Sequence, residues 1–238
     1  NFPVCQKCFR SKNYGEFTNN LNTFYELEEI GEIKDDNVIM IIDVINPFET
    51  MFTDINKFVE PENLTILINK VDLLPRSIKT ESILEWIDEI SISKDISFSQ
   101  AALVSSIKNT NIDAVADFIL DSERNTSIIG YSNVGKSSVI KSLFNSVNLD
   151  VDNLISNSIG TTKEIINLSF KEKILKDYPG MILKGSYQNI MDMKQLKETN
   201  TNKEMNVCNY QLGSFQTINI NNYGYFHIKE SSEKNGYQ

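Results

Sequence analysis

From residue 37 to residue 178, short apolar runs alternate with amphipathic stretches. Val38–Val44 predicts a strand of near-continuous apolar character, suited to a sheet buried on both faces. Phe52–Val59 predicts a short helix, and Leu64–Ile68 the next buried strand. Ser82–Ile90 has helical spacing, with Ile83, Trp86, Ile87 and Ile90 on one face. Ala101–Val104 follows as a strand, Ile112–Leu120 as a helix, Ser127–Ile129 as a strand and Lys136–Asn145 as a helix. The polar stretch Asp150–Gly160 shows no period. Ile165–Phe170 and Ile174–Asp177 then predict a hairpin turning near Lys171–Lys173. Alternation of this kind implies a mostly parallel, three-layer α/β fold.

Beyond Gly180 the pattern weakens. Residues 195–209 are polar and read as a linker, and Tyr210–Ile228 as short strands of a second domain. The expected organisation is an N-terminal segment over 1–36, an α/β domain over 37–194, and a linker with the start of a C-terminal domain over 195–238. No internal repeat is present.

Composition narrows the class. The chain has 238 residues, 40% hydrophobic and 23% charged, enough for a core without disulfide staples. No apolar run approaches the roughly 20 residues a membrane helix needs, so no membrane partner is expected. The chain opens on Asn1 and has no signal-like apolar stretch. It is therefore read as a fragment of a cytoplasmic protein, or of one from an organellar matrix or stroma. A net charge of −9 argues against a globally basic nucleic-acid binder. The distribution is uneven, however: residues 161–205 carry 8 basic and 6 acidic side chains. Any contact with a polyanion is expected there.

Three cysteines fit a reducing compartment. Cys5 and Cys8 form a C-x2-C pair, half of the four-ligand set that zinc needs, and the single His227 lies far along the chain. Two incidental loop thiols are the alternative.

The strongest chemical signal is Gly130-Tyr-Ser-Asn-Val-Gly135-Lys136-Ser137, between a predicted strand and a predicted helix. This is the phosphate-loop pattern and context. Backbone N–H groups over Ser132, Asn133, Val134, Gly135 and on to Ser138 would form an anion nest at a helix N-terminus. Lys136 would reach the β- and γ-phosphates, and the Ser137 hydroxyl would bind Mg2+. Upstream, Asn69-Lys70-Val-Asp72 follows a strand. The Asp72 carboxylate can accept from both N1–H and the exocyclic amine of guanine, whereas adenine would leave it unpaired. Lys70 would lay its stem over the base, and Asn69 would tether neighbouring loops. Ser105-Ser106-Ile-Lys108 follows the next strand and would supply a backbone N–H for guanine O6, with the Lys108 stem on the base. Asp177-Tyr-Pro-Gly180 closes the predicted hairpin; Asp177 would hold Mg2+ through water, and the Gly180 N–H would sense a γ-phosphate. Gly160-Thr161-Thr162 offers a second hydroxyl for Mg2+, with Thr162 favoured and Thr161 the alternative.

The order of these motifs is informative. Ordinary GTPases run from the phosphate loop to the base motifs, and here the base motifs come first. The chain resembles a circularly permuted, Ras-like GTPase, and within that group the YqeH family of ribosome-assembly GTPases. The likeness runs from Cys5-Gln-Lys-Cys8-Phe-Arg-Ser-Lys-Asn-Tyr to Tyr210-Gln-Leu. It implies GTP and GDP as ligands, and zinc on Cys5 and Cys8 paired with a second C-x2-C upstream. It also implies a monomer that binds small-subunit ribosomal RNA, with hydrolysis driving release. Similar GTPases hold K+ with the Asn that matches Asn133. Three positions depart from the family: Tyr178 and Ile159 replace Thr and Pro, and no Gly follows Lys108; separately, Met181 stands where Ras-like enzymes have a water-orienting Gln. Slow hydrolysis is expected, unless K+ or a partner supplies charge. A nucleotide-gated binding module with negligible turnover is the alternative.

Overall fold

The computed structural model describes residues 33–149, 165–181, 203–220 and 224–230. Cys5, Cys8, Thr161 and Thr162 lie outside them. The main sheet has six strands: β1 (Asn37–Asp43), β2 (Leu64–Asn69), β3 (Gln100–Leu103), β4 (Thr126–Gly130), β5 (Ile166–Phe170) and β6 (Lys173–Asp177). Their order is β3-β2-β1-β4-β6-β5, all parallel except the β5–β6 hairpin. Helices α1 (Pro47–Thr50), α2 (Thr80–Ser93), α3 (Ile112–Asp121) and α4 (Lys136–Ser146) connect the strands.

Strand periodicity decides the layers. Val38, Met40 and Ile42 of β1 face one side and pack with Ile83, Ile87 and Ile90 of α2. Ile39 and Ile41 face the other side, with Val115 and Ile119 of α3 and Val139 and Leu143 of α4. Each of these five β1 side chains is fully buried, worth about 2 kcal/mol apiece. The apolar run is continuous because both faces of its strand are covered. Ile33 and Asp36 precede β1 and are already buried against this core.

Two local expectations are corrected. The helix expected over Phe52–Val59 is instead the short α1, followed by a 3-10 turn at Ile55–Lys57. Pro47 starts α1 with its φ preset for a helix, and Asp54 takes a left-handed φ of 64° that breaks any continuation. Met51, Phe52, Ile55 and Val59 still bury, but as a folded loop. Trp86, expected on the buried face of α2, is 44% exposed. It stands at the edge of the stripe formed by Ile83, Ile87 and Ile90.

At the N-terminal edge of the sheet, the Asp36 carboxylate accepts from Ser127 Oγ at 2.6 Å and from Lys176 Nζ at 2.8 Å. It thereby joins the segment before β1 to β4 and β6. Asp36→Ala is expected to lower stability by about 3 kcal/mol, because it strips a buried network of its shared acceptor. Urea unfolding should show a lower midpoint at unchanged slope. A loss below about 1 kcal/mol would mean that the network is replaceable.

The second sheet is a hairpin, β7 (Thr217–Ile220) with β8 (Gly224–His227), register Ile218 to Phe226. Ahead of it, Met205 N–H donates to the Leu73 carbonyl at 2.8 Å, and Glu204 pairs with Arg76. This part of the chain thus rests on the turn that follows Asp72. No helix among the described residues is long and apolar enough to cross a membrane.

Candidate functional site

After β1 the chain moves toward β2, and after β4 it moves to the opposite side, toward β6. Ligands of open α/β sheets bind beyond the carboxyl ends of the strands at such a switch point. The motifs converge there, since each follows one of four strands, β2, β3, β4 and β6.

The loop after β4 places Asn133 at φ 70° and Gly135 at φ 93°, and α4 begins at Lys136. Val134 is buried, whereas Ser132, Asn133, Ser137 and Ser138 are exposed. Lys136 is 9% exposed, and its ammonium donates to Asp177 Oδ1 at the end of β6. Burial pushes the Asp177 carboxyl above its usual range, and the Lys136 charge and hydrogen bond pull the other way. The Ser137 hydroxyl begins the same helix. A hydroxyl, a carboxylate and phosphate oxygens are the donor set that Mg2+ accepts, with water completing it. The residues therefore fit the ion, and bound Mg2+ would neutralise phosphate charge. Among the described residues no cluster of three or more His, Cys, Asp or Glu exists.

β6 runs on beside the phosphate loop. Tyr178 N–H donates to the Ile128 carbonyl, Met181 N–H to Gly130, and Ser132 N–H to Met181 at 2.7 Å. Gly180 is exposed, and a Cβ there would come within 3.2 Å of Ser132 Oγ. The Met181 and Tyr178 side chains are buried in the α2-side core. Besides the Lys136–Asp177 contact, these backbone hydrogen bonds connect the Asp177–Gly180 segment to the phosphate loop.

The base motifs are tied to that loop by side chains. Asn69 Nδ2 donates to the Val134 carbonyl at 2.9 Å, and Asn69 Oδ1 accepts from Ser106 N–H at 3.3 Å. Asn69 thus bridges the phosphate loop and the Ser105–Lys108 loop. Lys70, at φ 69°, donates from Nζ to the Asn133 carbonyl at 2.6 Å and to Asp43 Oδ2 at 2.5 Å. Ser105 is fully buried; its hydroxyl donates to Asp72 Oδ1 at 2.5 Å and accepts from Lys108 N–H at 3.0 Å. The Ser106 carbonyl accepts from Ser142 Oγ of α4. Asp72 is only half-buried and keeps acceptor capacity beyond the Ser105 bond.

Sequence reasoning missed Asp43 and Ser142. Asp43, an acidic residue at the end of a buried apolar run, carried a usable signal. Ser142 carried none, being one polar residue on a helix whose contact is set by tertiary packing.

Gly135 tests the bridge. A Cβ there would collide with Asn69 Nδ2, and φ 93° disfavours any L side chain. Gly135→Ala is expected to cost about 1–2 kcal/mol of stability and to push Asn69 off the Val134 carbonyl. Guanine-nucleotide affinity should fall by at least tenfold, on the order of 1.4 kcal/mol. Unchanged affinity by equilibrium fluorescence titration would show that the bridge is dispensable.

The profile of a family described as "50S ribosome-binding GTPase" matches residues 125–224. The match starts just before β4, so Asn69–Asp72 lies upstream of it, as a permuted order requires. YqeH of Bacillus subtilis, described as an uncharacterized protein, is 28% identical over 223 residues, 90% of this chain and 61% of that protein. NO-associated protein 1, chloroplastic/mitochondrial, of Arabidopsis thaliana is 26% identical over 108 residues, 44% of this chain and 19% of that protein. Among solved structures, GDP-bound TM YlqF gives a TM-score of 0.41 at 16% identity, covering 68% of this chain and 60% of its own. YjeQ from Thermotoga maritima gives 0.37 at 20% identity, covering 62% and 48%. The chain spans about three fifths of the length of the YqeH relative. The chain is thus similar to YqeH over 90% of its length, its residues 125–224 match a GTPase family, and its phosphate and base motifs run in circularly permuted order.

Proposed function

We propose that this chain binds GTP and GDP, hydrolyses GTP slowly, and acts as an assembly factor on the small ribosomal subunit. The observation that carries the reading is Asn69, whose amide holds both the phosphate loop and the Ser105–Ser106 loop. One side chain thus sets the distance between a phosphate cradle and a guanine-selective carboxylate.

Phosphoryl transfer needs positioning and charge stabilisation more than covalent chemistry. Lys136 and the amides after Gly130 would hold the phosphates, with Mg2+ on Ser137, Asp177 and Thr162. Asp72 would select guanine, with Lys70, Ser105, Ser106 and Lys108 around the base. Met181 buries its thioether, so that position offers no polar group to orient water. Turnover therefore depends on charge supplied otherwise. We assign this to K+ at Asn133, since Arg10, Arg76 and Arg124 all lie outside the phosphate motifs. The burial of Met181 also supports a second reading, a nucleotide-gated binding module with negligible hydrolysis.

Domain limits of 1–36, 37–194 and 195–238 remain part of this proposal, as do zinc on Cys5 and Cys8, a monomeric state and a cytoplasmic location. The organelle named in the Arabidopsis relative's description supports matrix or stroma as the alternative location. Gating would run from Asp177–Gly180 into the C-terminal part, which leans on the turn after Asp72 through Leu73 and Arg76. RNA contact is assigned to the mildly basic 161–205 stretch and the C-terminal residues beyond it.

The test is multiple-turnover phosphate release in K+ and in Na+ at matched ionic strength, alone and with purified ribosomal subunits. The matched family's description names the large subunit, so both subunits belong in the assay. Turnover should rise on exchanging Na+ for K+, by a part of the roughly 10³–10⁵ that arginine fingers supply. Asn133→Ala should erase that difference with little loss of affinity. Equal rates in both salts would remove K+ from the mechanism, and a partner-supplied arginine would replace it. Stimulation by small subunits supports the assembly role, and stimulation by large subunits alone would overturn the small-subunit assignment. Turnover that stays negligible under every condition, with tight GTP binding, would establish the gated module.

A further inference from the structure

Asp43 belongs to no motif, yet its carboxylate meets Lys70, one of the side chains that tether the phosphate loop. It ends β1, in register with Asn69 of β2, at the switch point of the sheet. Its N–H donates to Thr50 Oγ1 at 3.0 Å, and Oδ1 accepts from Ile45 N–H at 3.0 Å. Oδ2 is left facing Lys70 Nζ at 2.5 Å, with the two side chains 15% and 25% exposed. The same ammonium donates to the Asn133 carbonyl at 2.6 Å. Lys70 is itself in the left-handed region, as is Asn133, so both backbones depend on contacts to hold them.

We infer that Asp43 is a positioning residue for the nucleotide site: its charge fixes the Lys70 ammonium, which in turn fixes the phosphate loop at Asn133. The inference rests on the guanine-nucleotide reading and deepens it. The carboxylate divides its work between its oxygens. One shapes the loop leading into α1, and the other carries the charge-assisted bond, roughly twice as strong as a neutral one. A free lysine stem would sample many rotamers, and the Asp43 contact removes that freedom before nucleotide arrives. Since Lys70 bonds the loop backbone at Asn133, the effect should be the same for di- and triphosphate.

Asp43→Asn separates the two functions. The amide oxygen still accepts from Ile45 N–H, while the amide nitrogen cannot accept from Lys70. Titration with fluorescent GDP and GTP should show both affinities reduced about tenfold, their ratio unchanged and the melting temperature nearly so. In a Lys70→Met background the same substitution should change nothing further, because Asp43 acts through Lys70. An equal tenfold loss in both backgrounds would overturn the inference and leave Asp43 a loop-shaping residue. So would unchanged affinity in the single variant. If Asp43→Asn does not fold, Asp43→Ser, whose hydroxyl can still accept from Ile45 N–H, carries the same test in both backgrounds: a loss for both nucleotides only where Lys70 is intact supports the inference, and an equal loss in both overturns it. Failure of the unmutated chain to bind guanine nucleotide is a separate result, and it would remove the functional reading itself.

Discussion

Asp72→Asn should exchange GTP for xanthosine triphosphate as the preferred nucleotide. Guanine presents two donors, N1–H and the exocyclic amine, and a carboxylate accepts both. Xanthine keeps N1–H but carries a carbonyl at C2, so an amide that accepts with oxygen and donates with nitrogen matches it. The Ser105 hydroxyl donates to Asp72 Oδ1, and an amide oxygen can accept that bond equally well. The side chain should therefore stay in place while its pairing pattern changes. Sites built on such pairing discriminate by roughly 10⁴–10⁵, and a preference change of that order is expected. Competition of GTP and the xanthosine analogue for one fluorescent nucleotide measures it. Undiminished GTP affinity in the variant would place Asp72 outside the base site.

Lys136→Ala should abolish tight binding of GTP. The ammonium is nearly buried at the start of α4, and in this structure Asp177 accepts its hydrogen bond. A bound phosphate would draw on the same charge. A hydrogen bond to a charged group is worth about 1.5–3 kcal/mol, so affinity should fall by on the order of 100-fold from the phosphate contact alone. Loss of Lys136 also removes the cation that pairs with Asp177, so burial acts on that carboxyl unopposed. The two effects should appear together in Lys136→Ala. Ser137→Ala should reduce only the Mg2+-dependent increment of affinity. Isothermal titration with and without Mg2+ separates them. If Lys136→Ala binds GTP with little loss, the loop after β4 is not a phosphate site.

Much of the architecture was legible because burial on both faces leaves a plain mark. The runs Val38–Val44 and Leu64–Ile68 have few polar residues, so they read as central strands, and they are β1 and β2 with ends shifted by a residue. The phosphate loop was legible for another reason: nest geometry needs Gly135 at a positive φ, and few sequences place Lys and Ser directly after such a glycine. The region between β1 and β2 was not legible. Met51, Phe52, Ile55 and Val59 fit a helical period loosely, and the deciding feature, Asp54 in the left-handed region, leaves no mark in composition. Trp86 failed similarly, since a helical wheel cannot say how wide a stripe the neighbouring sheet covers.

Within the site, the motif residues could be named from sequence, and their wiring could not. Nothing in Asn69-Lys-Val-Asp72 says that Asn69 reaches Val134 or that Lys70 finds Asp43, because the sheet order sets both: the first contact passes from β2 beyond β1 to the loop after β4, and the second joins the neighbours β2 and β1. The missing glycine after Lys108 has a structural answer as well. Asn109 and Asn111 take the left-handed conformation there, at φ 55° and 56°, a role asparagine tolerates better than most residues.

The central claim is that a permuted order of motifs still builds one guanine-selective phosphate site. Displacement of a fluorescent GDP analogue from the unmutated chain, by GTP, GDP and ATP in the presence of Mg2+, tests it most directly. GTP and GDP should displace the probe at comparable concentrations, while ATP fails even at roughly thousandfold higher concentration. Displacement by ATP at the same concentration as GTP would contradict the claim.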